Sequence, residues 1–172
     1  MNLPPGYETD TVTRLETNLD DLSPEIAGAV MEKLFAHGAL DVWFTSVQMK
    51  KNRPAVQLSL LCRETAAERL AEIVLSETSA FGLRMDRVVR LKLQRRFEKV
   101  RTEFGNVTVK IGLKAGEIVQ ATPEFESCRA VSERSGRPLR AIYEAATEAY
   151  RRGSGGAKSA SATRRKKRAA KR

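Results

Sequence analysis

The chain has 172 residues, 41% of them hydrophobic, enough for one well-packed core with little length left for a second. Its formal charge is +10, yet residues 153–172 hold 8 of the 31 Lys and Arg and none of the 21 acids. The first 152 residues therefore set 23 basic groups against 21 acidic ones and offer no bulk electrostatic case for binding nucleic acid. Two distant cysteines (Cys62, Cys128), a single histidine and the absence of a long apolar run argue against a disulfide framework, a Cys/His zinc site and a membrane-spanning helix. A reducing, cytoplasmic setting fits, and the polar start bearing Pro and Gly does not have the make-up of a signal peptide.

Residues 1–11 read as an irregular lead-in and 12–20 as a first strand. Ser23 is a natural N-cap and Pro24 a natural first residue for a helix over 24–37, in which Ile26, Ala27, Val30 and Leu34 recur at helical spacing and Gly38 follows as terminator. Residues 41–49 (DVWFTSVQM) and 55–62 (AVQLSLLC) are rich in strand formers and flank a cationic connection, Lys50-Lys51-Asn52-Arg53-Pro54, so they read as a hairpin. Thr65 with Glu68 predicts a capping box for a second helix that ends before Gly82, with Leu70, Ile73, Val74 and Glu77 on one side. A fourth strand over 83–93 completes the order β-α-β-β-α-β. That order is the ferredoxin-like split βαβ arrangement, an α+β fold in which an antiparallel sheet carries both helices on one face. An added hairpin (97–103 and 107–113, turning at Phe104-Gly105-Asn106) and two C-terminal helices (124–135 and 138–151, broken at Gly136-Arg137-Pro138) follow. Leu139, Ile142, Tyr143 and Ala146 form the apolar stripe of the last helix. The domain predicted is 12–152. Residues 153–172, small, polar and cationic, are expected to be disordered, either as an arm for nucleic acid or another polyanion or as a solubilising extension; the lack of an interleaved aromatic favours the extension.

Three clusters carry the chemistry. In the first, LETNLDDLSP, strand periodicity puts Glu16, Asn18 and Asp20 on one face, with Asp21 beside the coming helix. Hard oxygen donors in this row suit Mg²⁺ or Mn²⁺ shared with substrate phosphates, and the same acids also serve as helix-capping charges. In the second, Lys50, Lys51 and Arg53 sit on one connection, either as an anion site or as a soluble hairpin tip. If the first two strands run parallel, as the split βαβ topology orients them, their C-terminal ends point to one rim, where carboxylates on a metal and cations on a polyphosphate would meet. In the third, Glu77-Thr78-Ser79-Ala80-Phe81-Gly82-Leu83-Arg84, hydroxyls, amides and Arg84 could face a phosphate, although a glycine-bearing link between helix and strand is common. Cys128 opens a helix and reads as a dipole-favoured thiolate or, with better support, a buried thiol. His37 reads as a helix-end residue.

ETNLDDLSPE, GALDVWFTSVQMKKNRP, SETSAFGLR and TPEFESCR together resemble the C-terminal domain of the LarC-type nickel-insertion family over residues 12–150. The resemblance implies an oligomerising ferredoxin-like domain that binds CTP with Mg²⁺ or Mn²⁺. The complete family protein is a CTP-dependent cyclometallase that places nickel into a pyridinium bisthiocarboxylate mononucleotide, the nickel-pincer cofactor precursor of lactate racemase. Carried over to this sequence, it implies Glu16, Asp20 and Asp21 on the metal side, Lys50, Lys51, Arg53 and Arg84 on the triphosphate, and Glu77 as an orienting group. The family's large N-terminal half, with its histidine-rich nickel region, has no counterpart in these 172 residues, so a partner chain carrying that half is expected. Ala55 stands where the family usually has Gly, and Thr122 and Ser127 where a Lys and an acid are common. A second function class keeps the fold without the nucleotide: a regulatory or polyanion-binding domain with a basic nucleic-acid-binding tail.

Overall fold

The computed structural model describes residues 4–153. The basic segment from 154 onward lies outside the described residues. The fold is α+β, and the described chain forms two compact units, one of Thr9–Leu91 and one built from the residues after Leu91 with the strip up to Glu8.

In the first unit, β1 (Glu8–Leu19), α1 (Pro24–Ala36), β2 (Ala39–Met49), β3 (Arg53–Cys62), α2 (Ala67–Glu77) and β4 (Arg84–Lys92) follow the expected order. Their four-stranded sheet is ordered β2-β3-β1-β4. β3 pairs antiparallel with β1, placing Leu15 opposite Leu60, and antiparallel with β2, placing Val42 opposite Leu60. Residues directly opposite share a face. Leu15, Leu19, Leu58 and Leu60 therefore turn together toward Val30, Leu34, Leu70 and Val74 of the helices, forming a single apolar core.

The helix ends follow local chemistry. Ser23 Oγ accepts from the Ile26 amide at 3.3 Å with Pro24 at the first helical position. His37 closes the helix, its Nδ1 donating to the Lys33 carbonyl at 2.7 Å. Gly38, at φ +100, takes a left-handed conformation that suits glycine. Two expectations are corrected. β1 starts at Glu8, inside the expected lead-in, and the bidentate pairing of Arg90 with Asp10 (3.0 and 2.7 Å) ties this early part to β4. The Thr65/Glu68 capping box does not form: a 3-10 turn over Glu64–Ala66 enters α2 and leaves Ala66 as an N-cap without a side-chain bond. Ala66 and Ala67 are buried in the core, so the entry is set by close packing of small residues rather than by a capping hydroxyl.

The second unit has its own core. β5 (Gln94–Thr102), β6 (Gly105–Lys114) and β7 (Glu117–Pro123) form an antiparallel sheet ordered β5-β6-β7. α3 (Phe125–Ser135) and a further helix α4 (139–153) follow, and Gly136 at φ +66 ends α3. Val100, Val107, Val109, Ile111, Cys128, Val131, Ile142 and Ala146 pack together. The expected hairpin thus gains a third strand. β6 turns into β7 through Ala115 and Gly116, both at positive φ (50° and 82°), the conformation of a tight two-residue hairpin. The expectation of a single core over 12–152 gives way to two cores because this sheet buries its apolar side under its own helices.

Leu60 is fully buried at the centre of the first core. Leu60→Ala is expected to lower unfolding free energy by about 2–5 kcal/mol in urea titration, the cost of lost transfer free energy plus a cavity.

Candidate functional site

β1 and β2 both run antiparallel to β3, so they point the same way and their C-terminal ends lie on one rim of the sheet. That rim collects Asp20 and Asp21 after β1, Lys50 and Lys51 after β2, and Arg53 where β3 begins. Arg53 Nη1 donates to Asp20 Oδ2 at 2.8 Å. This hydrogen bond, with the charges of Arg53 and Lys50, holds the Asp20 carboxyl below the usual carboxylate range. Arg53 is held above its ordinary value by the same bond, and the charge of Asp21 adds to the effect. Acids and cations of separate strands therefore converge.

The loop from α2 to β4 closes the third side. Ser79 Oγ donates to Asp21 Oδ1. Thr78 Oγ1 donates to the Val74 carbonyl at 2.6 Å and accepts from the Ala80 amide at 3.1 Å, which shapes the loop. Thr17 Oγ1, buried on the helix side of β1, donates to the Gly82 carbonyl at 2.8 Å and pins the loop to the strand end. Arg84, the first residue of β4, donates through Nη2 to Asn18 Oδ1 at 2.8 Å.

Glu16 lies further from the rim, on the same face of β1 as Asn18. Its side chain is only 15% exposed. Oε1 accepts from Ser59 Oγ at 3.3 Å, and Ser59 in turn accepts from Gln57 Nε2 at 3.1 Å. Arg14 Nε stands 3.4 Å from Oε1 and Arg84 Nε 3.9 Å from Oε2. Arg14 also donates to Asp86 at 3.1 Å. Glu16 is thus enclosed by two guanidiniums and a hydroxyl, an arrangement that orients Arg84. Among the described residues no three His, Cys, Asp or Glu side chains converge as a metal-holding group. The donor set that remains at the rim, Asp20 and Asp21, is the one or two carboxylates with which Mg²⁺ is held when phosphates complete its shell. Glu77 stands apart from this group, its carboxylate engaged by Lys33 Nζ of α1 at 2.5 Å.

The hairpin tip is strained where the cations sit. Lys51 and Asn52 have φ of 60° and 55°, a left-handed region that costs a non-glycine residue roughly 1–2 kcal/mol. Two such residues in succession make this tip a point of local backbone strain. Cys62 and Cys128 are both buried, and burial pushes both thiols up, which leaves neither suited to nucleophilic chemistry. Ser59 and Asp86 escape sequence inspection because they reach Glu16 and Arg14 only across strands, while Arg14 lies two residues from Glu16 on the same face of β1. Their one signal is polar alternation on strands whose other residues are apolar.

A profile of the family described as "Nickel insertion protein" matches residues 2–143. A "Putative nickel insertion protein" of Pelobacter propionicus is 49% identical over 142 residues, which span 83% of this chain and 36% of that relative. The "Pyridinium-3,5-bisthiocarboxylic acid mononucleotide nickel insertion protein" of Clostridium acetobutylicum is 43% identical over 131 residues, 76% of this chain and 31% of its own length. The chain thus spans about a third of the curated relatives it matches. Among solved structures it is similar to the apo form of LarC2, described as the C-terminal domain of a cyclometallase involved in the synthesis of the NPN cofactor of lactate racemase. The TM-score is 0.78 at 36% identity, over 83% of this chain and 99% of that one. On these grounds the chain belongs to the nickel insertion protein family.

Proposed function

We propose that this chain is the nucleotide-binding domain of a nickel inserter that completes a nickel-pincer mononucleotide cofactor, and that its rim holds CTP with Mg²⁺ or Mn²⁺. The observation that carries the proposal is the meeting of Asp20 and Asp21 with Lys50, Lys51 and Arg53 at one sheet edge. Arg53 and the two lysines suit triphosphate oxygens, and Arg84, oriented by Asn18 and Glu16, suits a further phosphate. A divalent ion between Asp20, Asp21 and the triphosphate would offset the charge that the phosphates bring. The choice of cytosine comes from the family resemblance.

Nickel is cargo in this scheme. Its soft, sulfur-bound destination calls for ligands that the rim lacks, so the nickel-handling part is assigned to a histidine-rich half outside these 172 residues. Exposed Met85, Val89 and Leu91 on β4, an edge strand, support the self-association that the resemblance implies. No helix among the described residues is long and apolar enough to cross a membrane.

CTP with Mn²⁺ is expected to raise the melting temperature more than ATP does, since a ligand at 100 times its Kd stabilises by about 2.7 kcal/mol. Lys51→Ala and Asp20→Ala should each shrink that shift. Equal shifts with all four nucleotides would reject the cytosine preference, and no shift with any of them would leave the regulatory, non-nucleotide alternative standing.

Lys51→Gly separates fold from function. Without nucleotide, the variant is expected to gain up to roughly 1 kcal/mol of stability, because glycine relieves the left-handed strain. With CTP and Mn²⁺ its melting shift should fall below that of the unmodified chain.

A further inference from the structure

The second unit presents a sheet face that the nickel-insertion proposal leaves unused. Val107, Val109 and Ile111 of β6 turn into the core, so Thr108 and Lys110 between them turn the other way. On β5, Val100 turns inward opposite Val107, which places Arg95, Phe97, Lys99 and Arg101 together on the outer face. All four are exposed, Phe97 at 59%. The register sets Phe97 directly opposite Lys110 and Lys99 opposite Thr108. Phe97 therefore has a cation two residues away in each direction along its own strand, at about 7 Å, and a third cation across the ladder. Glu124 Oε1 approaches this group, 2.8 Å from Lys110 Nζ.

We propose that this face binds single-stranded nucleic acid, with one base stacked on Phe97 and the neighbouring phosphates taken by Arg95, Lys99, Arg101 and Lys110. An exposed ring set among cations on an open surface is the combination that single strands use, because every base offers a π face and every link a charge. The centre of a protein interface is depleted in charge, whereas this patch is mostly charge around one ring. A small ligand needs a concave site to bury most of its surface, and an exposed sheet face does not supply one. A duplex hides its base faces, so stacking on Phe97 selects unpaired strands. The site belongs to the second unit and uses none of the rim residues.

The test is fluorescence anisotropy on the full chain with a labelled single-stranded RNA and its DNA counterpart of about 12 nucleotides. The cations at 154–172 attract any polyanion, and their contribution is common to every variant compared. Phe97→Ala is expected to weaken binding about tenfold with an unchanged melting temperature, and Phe97→Trp to preserve it. Lys99→Ala should lower the slope of log affinity against log salt by roughly 0.7. The proposal is overturned if neither strand binds at low salt, or if Phe97→Ala and Lys99→Ala both bind like the unmodified chain. It is overturned as well if Lys99→Ala weakens binding while Phe97→Ala does not, because the face then holds polyanions without contacting bases. Duplex bound as tightly as the single strand has the same consequence.

Discussion

The antiparallel pairing of β3 with both of its neighbours is the constraint from which the rest follows. The two ladders put Leu60 between Leu15 and Val42 and so build the core. The same two ladders make β1 and β2 point the same way, which brings the acids after β1 to the cations after β2. A register slip of one residue in β3 would turn Ser59 toward the helices and Leu60 toward the charges. The apolar alternation that stabilises the fold is therefore also what aligns the polar face, and the site comes with the core.

That polar face is a ladder of opposite charges, Asp10 with Arg90, Arg14 with Asp86 and Glu16, Arg84 with Glu16, and Asp20 with Arg53, with the neutral Asn18 amide also accepting from Arg84. Exposed pairs of this kind contribute little to stability. They hold long cationic side chains in defined positions, which would reduce the ordering cost for the anion proposed to bind there. The Asp20 to Arg53 pair stands at the rim itself, so a triphosphate and its ion would replace one neutralising arrangement with another. Glu16, enclosed further in, keeps Arg84 in place.

The chain matches nearly the whole of one solved domain and about a third of the curated relatives' length. Hard oxygens and hard cations gather at this rim, the chemistry of phosphates and Mg²⁺, and soft ligands are scarce there: both cysteines are buried and the single histidine caps a helix.

Much of this was legible in the sequence. The β-α-β-β-α-β order, the Ser23 cap, the inward stripe of α2 and the burial of Ile142 and Ala146 all follow from periodicity and local sterics, which act within a few residues. The third strand of the second sheet has a local signal too, Ala115-Gly116 followed by a strand-forming run. Other features required the chain to be folded. The capping box at Thr65 lost to the packing of two buried alanines, Glu77 was taken by Lys33 from 44 positions away, and Glu16 was enclosed by residues of three strands. Local pattern determines which elements form and which face is apolar, because those preferences are settled by neighbours along the chain. Which cation or hydroxyl engages each carboxylate, Arg53 at Asp20, Ser79 at Asp21, Lys33 at Glu77, depends on partners brought near only by the sheet and helix packing, and only the tertiary structure decides that.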